Sequence, residues 1–480
     1  MQLKDVINTE AGFKYCIDDL NIQSGIGRNY LMNIHWKTTA QELEAEWFFV
    51  EQIIEKIKTD EERKHLGKLQ HKLSCIHNIK QTILNIENND VLDDVQFFEV
   101  KNLSLQTIEI AAIAKDMGLD LLFLIPDLSK VLEILDPDKN NIAHFYIYES
   151  YDNRLPEIRN KLKQLTNSLN SNTNTLPDEE TAKLEAEITA TYLINQEIED
   201  SVRVSLVEKL NRYTPTLKAT LERLAYIDLS VAKAEQAINR NMHKPTICSH
   251  SIAYTNIVNP RLDSVLKPQG QECQPIDISI APGVCFITGA NMAGKTVLLK
   301  TMGIAQMLAQ FGFFVPAAVA GIALVDKVVF CIGDEQNEMN GLSSFASEIL
   351  KINSIVEDSD KYKMLILIDE PARTTNPTEG KAIVQAIANC LNSKNSYTMI
   401  TTHYSQLGLD CRKLRVKGFV NNNTDITITP QNINKFMNYT LQEDTTDNVP
   451  HEAIRIAEIL NCSSTLISDA KQFLDKEKNN

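Results

Sequence analysis

The chain reads as a multidomain protein in which an all-α part is followed by an α/β domain. Three observations predict this. Up to about residue 245, apolar residues recur at three- and four-residue spacing with few glycines or prolines between them. From about 246, β-rich runs alternate with helical ones, the texture of a parallel sheet covered on both faces. Within that second part a strand, a glycine loop and a helix follow one another between 283 and 308. The implied boundaries are 1–245 for the helical part, 246–445 for the α/β domain and 446–480 for a closing helical segment.

In chain order, the periodicity predicts long helices over 39–58 and 61–87, with Ser, Thr, Asn and Asp at their starts. The stripe Leu217, Leu221, Leu224, Val231 and Ile238 predicts a long helix over 215–240 laid against a partner helix. The polar run 167–177 separates helical segments at 151–165 and 178–198, as the tip of an antiparallel arm would. Residues 201–207 alternate, which suits either a short strand or a stiff stretch of helix. Two short helices are expected over 451–476.

Composition narrows the class. Of 480 residues, 43% are apolar and 23% charged, as in ordinary globular proteins, and no run approaches the ~18 apolar residues a membrane helix needs. The N-terminus lacks signal-peptide architecture. Nine cysteines occur singly with no C-x-x-C pair, so neither a zinc site nor a disulfide framework is expected, and the chain reads as cytoplasmic. Cys285 and Cys331 lie in apolar runs and read as small core residues. A net charge of −15, with no Lys/Arg-rich run, disfavours nucleic acid as partner, because affinity for phosphates needs dense cations.

The chemistry-bearing motif is Gly289, Ala290, Asn291, Met292, Ala293, Gly294, Lys295, Thr296 and Val297. Two glycines five apart let backbone N–H groups point inward around a triphosphate. The lysine reaches the β/γ-phosphates, and the Thr296 hydroxyl is offered to Mg²⁺. The apolar run 283–288 precedes the loop as a buried strand, and helical spacing over 296–308 turns a helix N-terminus toward the anion. A second apolar run, from Lys363, ends in Asp369 and Glu370, an acid for the metal shell and an acid to orient or deprotonate the attacking water. A further β-rich run, from Tyr397, ends at His403, positioned as a γ-phosphate sensor. These residues predict ATP and Mg²⁺ as ligands and ATP hydrolysis as the activity.

With these motifs in order, the chain resembles the MutS family of ATPases, in the ABC-type branch of P-loop proteins. Thr288 to Thr296 is similar to the family's T-G-x-N-M-x-G-K-[ST], and Phe311 to Ala317 to its G-x-F-V-P-A. Gly341-Leu-Ser343-Ser-Phe345 with Glu348 resembles the signature G-x-S-T-F-x-x-E, Asp369 to Gly380 the D-E-x-x-R segment, and Thr402-His403-Tyr404 the T-H-Y that follows. Ser24 to Arg28, Ile134 to Pro137 and Tyr151 to Leu155 are similar, more weakly, to the helical core and lever that precede the ATPase, and Asn259-Pro260 to its lead-in. The resemblance implies a helical core and lever, an ABC-type P-loop ATPase domain and a C-terminal helical dimerisation segment. It also implies a homodimer or MutS-like heterodimer in which Ser343 meets the γ-phosphate held by the other subunit. By type alone, Ser343 or Ser344 also suits a cap for the helix starting near Phe345.

Departures from the family bear on the partner. The helical core begins near residue 10, leaving no room for a mismatch-reading domain, and Phe49-Val-Glu51 spells that domain's F-x-E inside a predicted helix, as core. The arm is short. The switch segment, with Pro371-Ala372 and Thr374-Thr375-Asn376-Pro377, resembles that of MutS-like subunits linked to reactivation of adenosylcobalamin-dependent lysine or ornithine aminomutases. Three functions stay open: remodelling of a protein such as that aminomutase, a clamp on branched or recombining DNA, and a structural ATP-binding dimer. Arg154, Arg159, Lys161 and Lys163 form a modest basic cluster, either a backbone contact for DNA or a solvated helix face.

Overall fold

The computed structural model describes all residues except 173–176, 290–292, 333–343, 420–435, 445–453, 455–456, 459–461 and 479–480. They form two compact units: Met1–Leu20 with Ile34–Glu51 and Lys233–Asn480, and Asn21–Asn33 with Gln52–Ala232. Among the described residues no helix is long and apolar enough to cross a membrane.

The first unit carries ten strands among its described residues. They are β1 (Thr246–Ile247), β2 (Ile252–Ile257), β3 (Ile276–Ile280), β4 (Gly283–Thr288), β5 (Val319–Ile322), β6 (Lys327–Cys331), β7 (Met364–Ile368), β8 (Tyr397–Thr401), β9 (Arg412–Phe419) and β10 (Met437–Glu443). Six of them form one sheet in the order β10-β9-β4-β8-β7-β6, parallel throughout except for β10 on β9. Strands β7 and β8 are buried along their whole length, which is why β7 reads as an unbroken apolar run and β8 carries no charged residue. One face of this sheet (Phe286, Ile366, Ile368, Ile400) packs on Ile352 and Ile355 of helix Ser344–Asp358 and on Val384, Ala388 and Leu391 of helix Pro377–Asn392. The other face receives helix Lys295–Gln310. Its approach is so close that a Cβ on Gly303 would run into the Phe330 ring and the Leu367 side chain.

A second sheet, β1-β5-β2-β3, pairs β2 antiparallel with β3 and β5 and β1 parallel with β5. It joins segments some 70 residues apart, so no local pattern announces it. The amino-terminal residues of this unit gather at the far end of helix Lys295–Gln310. Phe13 and Trp36 lie 5.9 and 5.2 Å from the Phe311 ring, and the Trp36 indole donates to the Val325 carbonyl at 2.9 Å. There the buried Lys233 ammonium donates to the carbonyls of Phe311 (3.1 Å) and Gly312 (3.2 Å), which end the helix, and pairs with Glu46 at 3.3 Å.

The second unit is helical. The stretch expected as one helix over 61–87 is two, Asp60–Ser74 and Lys80–Glu87, with a turn between them in which the Asn78 side chain accepts the Lys80 N–H at 3.2 Å. The polar run 167–177 is not wholly a linker: helix Leu155–Asn172 extends through its first half, and helix Asp178–Asn211 follows. Residues 201–207 are helical, not a strand. Val202, Leu206, Val207 and Leu210 are buried at helical spacing, while Arg203 turns to Asp94 at 3.0 Å. The C-terminal residues 464–478 form one helix; most of 451–463 lies outside the described residues. Deep in the second unit Lys101 donates to Asp136 Oδ1 (3.0 Å), the Tyr148 hydroxyl (2.8 Å) and the His144 carbonyl (3.0 Å).

Candidate active site

Three adjacent parallel strands, β4, β8 and β7, end at one edge of the large sheet, the edge where open α/β sheets bind ligands. β4 leads into Gly289. Ala290, Asn291 and Met292 lie outside the described residues, and the chain reappears at buried Ala293 and at Gly294. Gly294 has φ +77°, and a Cβ there would stand 3.0 Å from the Tyr439 ring. This position therefore needs glycine twice over. Lys295 opens the next helix, and Gly294 supplies no capping side chain to its first turn. Val297 in that turn is partly exposed.

The predicted site residues converge. Lys295 Nζ donates to the Gly289 carbonyl at 2.7 Å and pairs with Glu370 Oε1 at 3.0 Å. The Thr296 hydroxyl donates to Asp369 Oδ2 at 2.6 Å. Asp369 is set just past β7, its N–H bonded to the Cys331 carbonyl at 2.9 Å. Arg373 lies 3.6 Å from the second Glu370 oxygen. His403 follows β8 with an exposed edge, its ring 4.3 Å from that of Tyr404. Partial enclosure pulls the His403 imidazole below its usual range; Glu370 opposes that shift, while Lys295 and Arg373 reinforce it. Ser343 lies outside the described residues, and Asn259 caps helix Pro260–Leu266 while its amide donates to Thr301 at 3.0 Å.

Arg373, the arginine of the D-E-x-x-R segment, belongs to this cluster, and so does one residue outside the motifs, Thr401, which the sequence marks only as a hydroxyl at the end of a β-rich run. Among the described residues no group of three or more His, Cys, Asp or Glu gathers to hold a metal. Thr296 and Asp369 are hard oxygen donors. That suits Mg²⁺, which keeps waters and phosphate oxygens rather than an all-protein cage.

Residues 285–478 match the model of MutS domain V, so the sheet, the Lys295 helix and the acid turn all fall within it. Among relatives, Endonuclease MutS2 of Carboxydothermus hydrogenoformans is 31% identical over 297 residues, covering 61% of this chain and 36% of that protein. Endonuclease MutS2 of Geobacillus thermodenitrificans is 35% identical over 216 residues (44% of this chain, 26% of that protein), and that of Thermus thermophilus 33% over 225 (47% and 29%). The chain thus spans about a third of the length of the curated relatives it matches.

Proposed function

We propose that the chain is a Mg²⁺-dependent ATPase that works as a dimer and uses the nucleotide cycle to remodel a partner. The observation that carries the reading is the meeting of Lys295 and Thr296, from one strand–helix junction, with Glu370 and Asp369 from the next strand end. In this reading Lys295 leaves Glu370 for the β/γ-phosphates, and the freed carboxylate orients the attacking water. Thr296 and Asp369 would hold Mg²⁺, which when bound would supply positive charge beside the phosphate oxygens. His403, neutral at pH 7, senses the γ-phosphate, and Gly289 to Val297 wrap the phosphates. The test is Glu370→Gln: it should bind ATP while turnover falls about 10²-fold. Undiminished steady-state hydrolysis would refute the assignment.

Dimerisation through the nucleotide domains, with Ser343 reaching the other subunit's nucleotide, is supported by the resemblance of 341–348 to the family signature. Mixing inactive Ser343→Ala and Lys295→Ala chains should restore part of the activity; no complementation at any ratio would argue for self-contained sites.

For the partner we favour a protein, in the finer form of a cobalamin-dependent aminomutase, which rests on the 371–377 segment. Pairing within the arm supports a protein over DNA. Arg154 already faces Asp152 at 2.8 Å, Arg159 faces Glu199 at 2.8 Å and Lys161 faces Glu187 at 2.9 Å, so three cations of the basic cluster are matched by acids. The second reading, a DNA-structure clamp, is favoured by the relatives' name, which says that they are endonucleases. A pull-down with Glu370→Gln and ATP, beside a branched-DNA titration at ~150 mM salt, separates the two. Submicromolar DNA binding with no protein recovered would decide for the clamp.

A further inference from the structure

Thr401 closes β8, the strand between β4 and β7, and its side chain is fully buried. Its hydroxyl makes two bonds, one to each of the paired acids. It donates to Asp369 Oδ1 at 2.6 Å, and it accepts the backbone N–H of Glu370 at 2.8 Å. A hydroxyl has one proton to give and lone pairs to receive, and both capacities are used here. With Thr296 on the other oxygen of Asp369, that carboxylate is gripped on both sides by hydroxyls and cannot rotate without breaking one of the two bonds.

The bond to Glu370 constrains in a different way. Glu370 has φ +45° and Ala372, two residues on, φ +59°. Side-chain-bearing residues hold such left-handed backbone only where the surroundings impose it. The turn decides which way the Glu370 Cα–Cβ bond points, so whatever fixes the turn aims the carboxylate. Register places Thr401 for this: Ile400 pairs with Ile368 across β8 and β7, and one step further each strand leaves the ladder with Thr401 beside the two acids.

We infer that Thr401 is a positioning residue for hydrolysis, its single hydroxyl setting the metal-side and the water-side carboxylates in one frame. The inference rests on the ATPase reading above and extends it to a residue outside every motif. Thr401 is fully buried with both capacities of its hydroxyl engaged, so it acts through Asp369 and Glu370. A strand-end threonine that merely satisfied buried polar groups would support the fold and leave turnover per folded molecule unchanged.

The experiment compares wild type, Thr401→Val and Thr401→Ser as full chains. It reads the affinity for a fluorescent ATP analogue, kcat, KM and the half-saturating Mg²⁺ concentration. Valine keeps the shape and removes the hydroxyl. It should lower kcat about 10²-fold, since a misaim of about 1 Å in a reacting group costs that much, with analogue affinity within about threefold of wild type. Its half-saturating Mg²⁺ concentration should rise, because Asp369 loses its fixed orientation. Serine keeps the hydroxyl and should stay within about threefold of wild type in kcat. A valine variant that turns over like wild type would overturn the inference and leave the ATPase reading intact. Should valine fail to fold, the serine arm decides, because a serine variant reduced 10²-fold would overturn the role given to the hydroxyl. Wild type without hydrolysis would instead remove the ATPase reading before any variant is compared.

Discussion

Lys101 in the helical unit and Lys295 in the sheet unit are both nearly sealed from solvent, with 0% and 5% of the side chain exposed, yet they are held in opposite ways. Lys101 sits in a closed set. Asp136, Tyr148 and a carbonyl surround its ammonium, and the second Asp136 oxygen accepts the Asn141 N–H at 2.7 Å. Lys295 sits in a one-sided set. Its carboxylate partner, Glu370, is 13% exposed, and beyond it stands Arg373 at 70%. A closed pair can only be broken, at the cost of a stranded charge. A one-sided pair can be exchanged, because a better anion arriving from the open side takes the lysine while the carboxylate turns to water. Charge burial alone therefore does not mark a functional site; the direction in which the partner opens does.

The largest expected effect lies on the closed side. Lys101→Met should cost about 3–5 kcal/mol of unfolding free energy, measured by urea titration, with ATP turnover per folded molecule unchanged. A loss under about 1 kcal/mol would place Lys101 among solvent-like pairs and break the comparison. The same pair should yield to acid. Burial pushes the Asp136 carboxyl up, but the Asn141 N–H, Lys101 and Tyr148 outweigh it and hold the group below its ordinary 3.8. A depressed carboxyl stabilises fully above its unfolded value, so this contribution is present above pH 3.8 and lost as pH falls through the lower folded value. Asp136→Asn should flatten that acid limb in a pH series of melting curves.

Next in size is Lys295→Met. It should lower ATP turnover about 10²–10³-fold, equivalent to about 2.7–4 kcal/mol of barrier, while Tm moves little because only a one-sided pair is lost. A Tm drop as large as that of Lys101→Met would make the two lysines alike. Smaller again is His403→Gln, expected to lower turnover about tenfold by replacing one neutral hydrogen-bonding group with another of different reach. Because enclosure lowers the His403 pKa from 6.5, wild-type turnover should not fall on this account between pH 8 and 6.5. A decline centred in that window, absent in the glutamine variant, would contradict the neutral ring.

How much of this was readable in the sequence follows from how local each signal is. The strands β4, β7 and β8 are short, rich in apolar and β-branched residues and followed by Gly, Asp-Glu or Thr-His, so their burial and their ends were legible, and with them Lys295, Thr296, Asp369 and Glu370. The sheet β1-β5-β2-β3 was not, since Gly321 pairs with Thr246 on one side and Ala253 on the other, and periodicity carries nothing about partners that distant. The alternation of 201–207 left strand and helix both open, and the helix is what forms: Val202, Leu206 and Leu210 are buried at helical spacing. The break after Ser74 leaves little trace because the five residues Cys75–Ile79 between the helices bury Ile76 and Ile79, which continue the apolar spacing across it. Thr401 was invisible for a simpler reason: threonine is ordinary in strands, and only coordinates reveal what its hydroxyl touches.

Gly303 has a consequence for how this sequence can change over time. A glycine in mid-helix is disfavoured by about 1 kcal/mol against alanine, so mutation toward alanine would be favoured if nothing stood in the way. The Phe330 ring and Leu367 stand in the way. Each of positions 303 and 330 is thus acceptable only because of the size of the other: an alanine arriving first meets the ring, and a smaller residue at 330 arriving first leaves a void. Lineages can cross by changing both, as in Gly303→Ala with Phe330→Leu, while the flexible end of Leu367 swings aside. The interval between the helix of Lys295 and β6, the neighbour of the strand that leads to Asp369, is in this sense inherited as a pair of letters that carry no chemistry themselves.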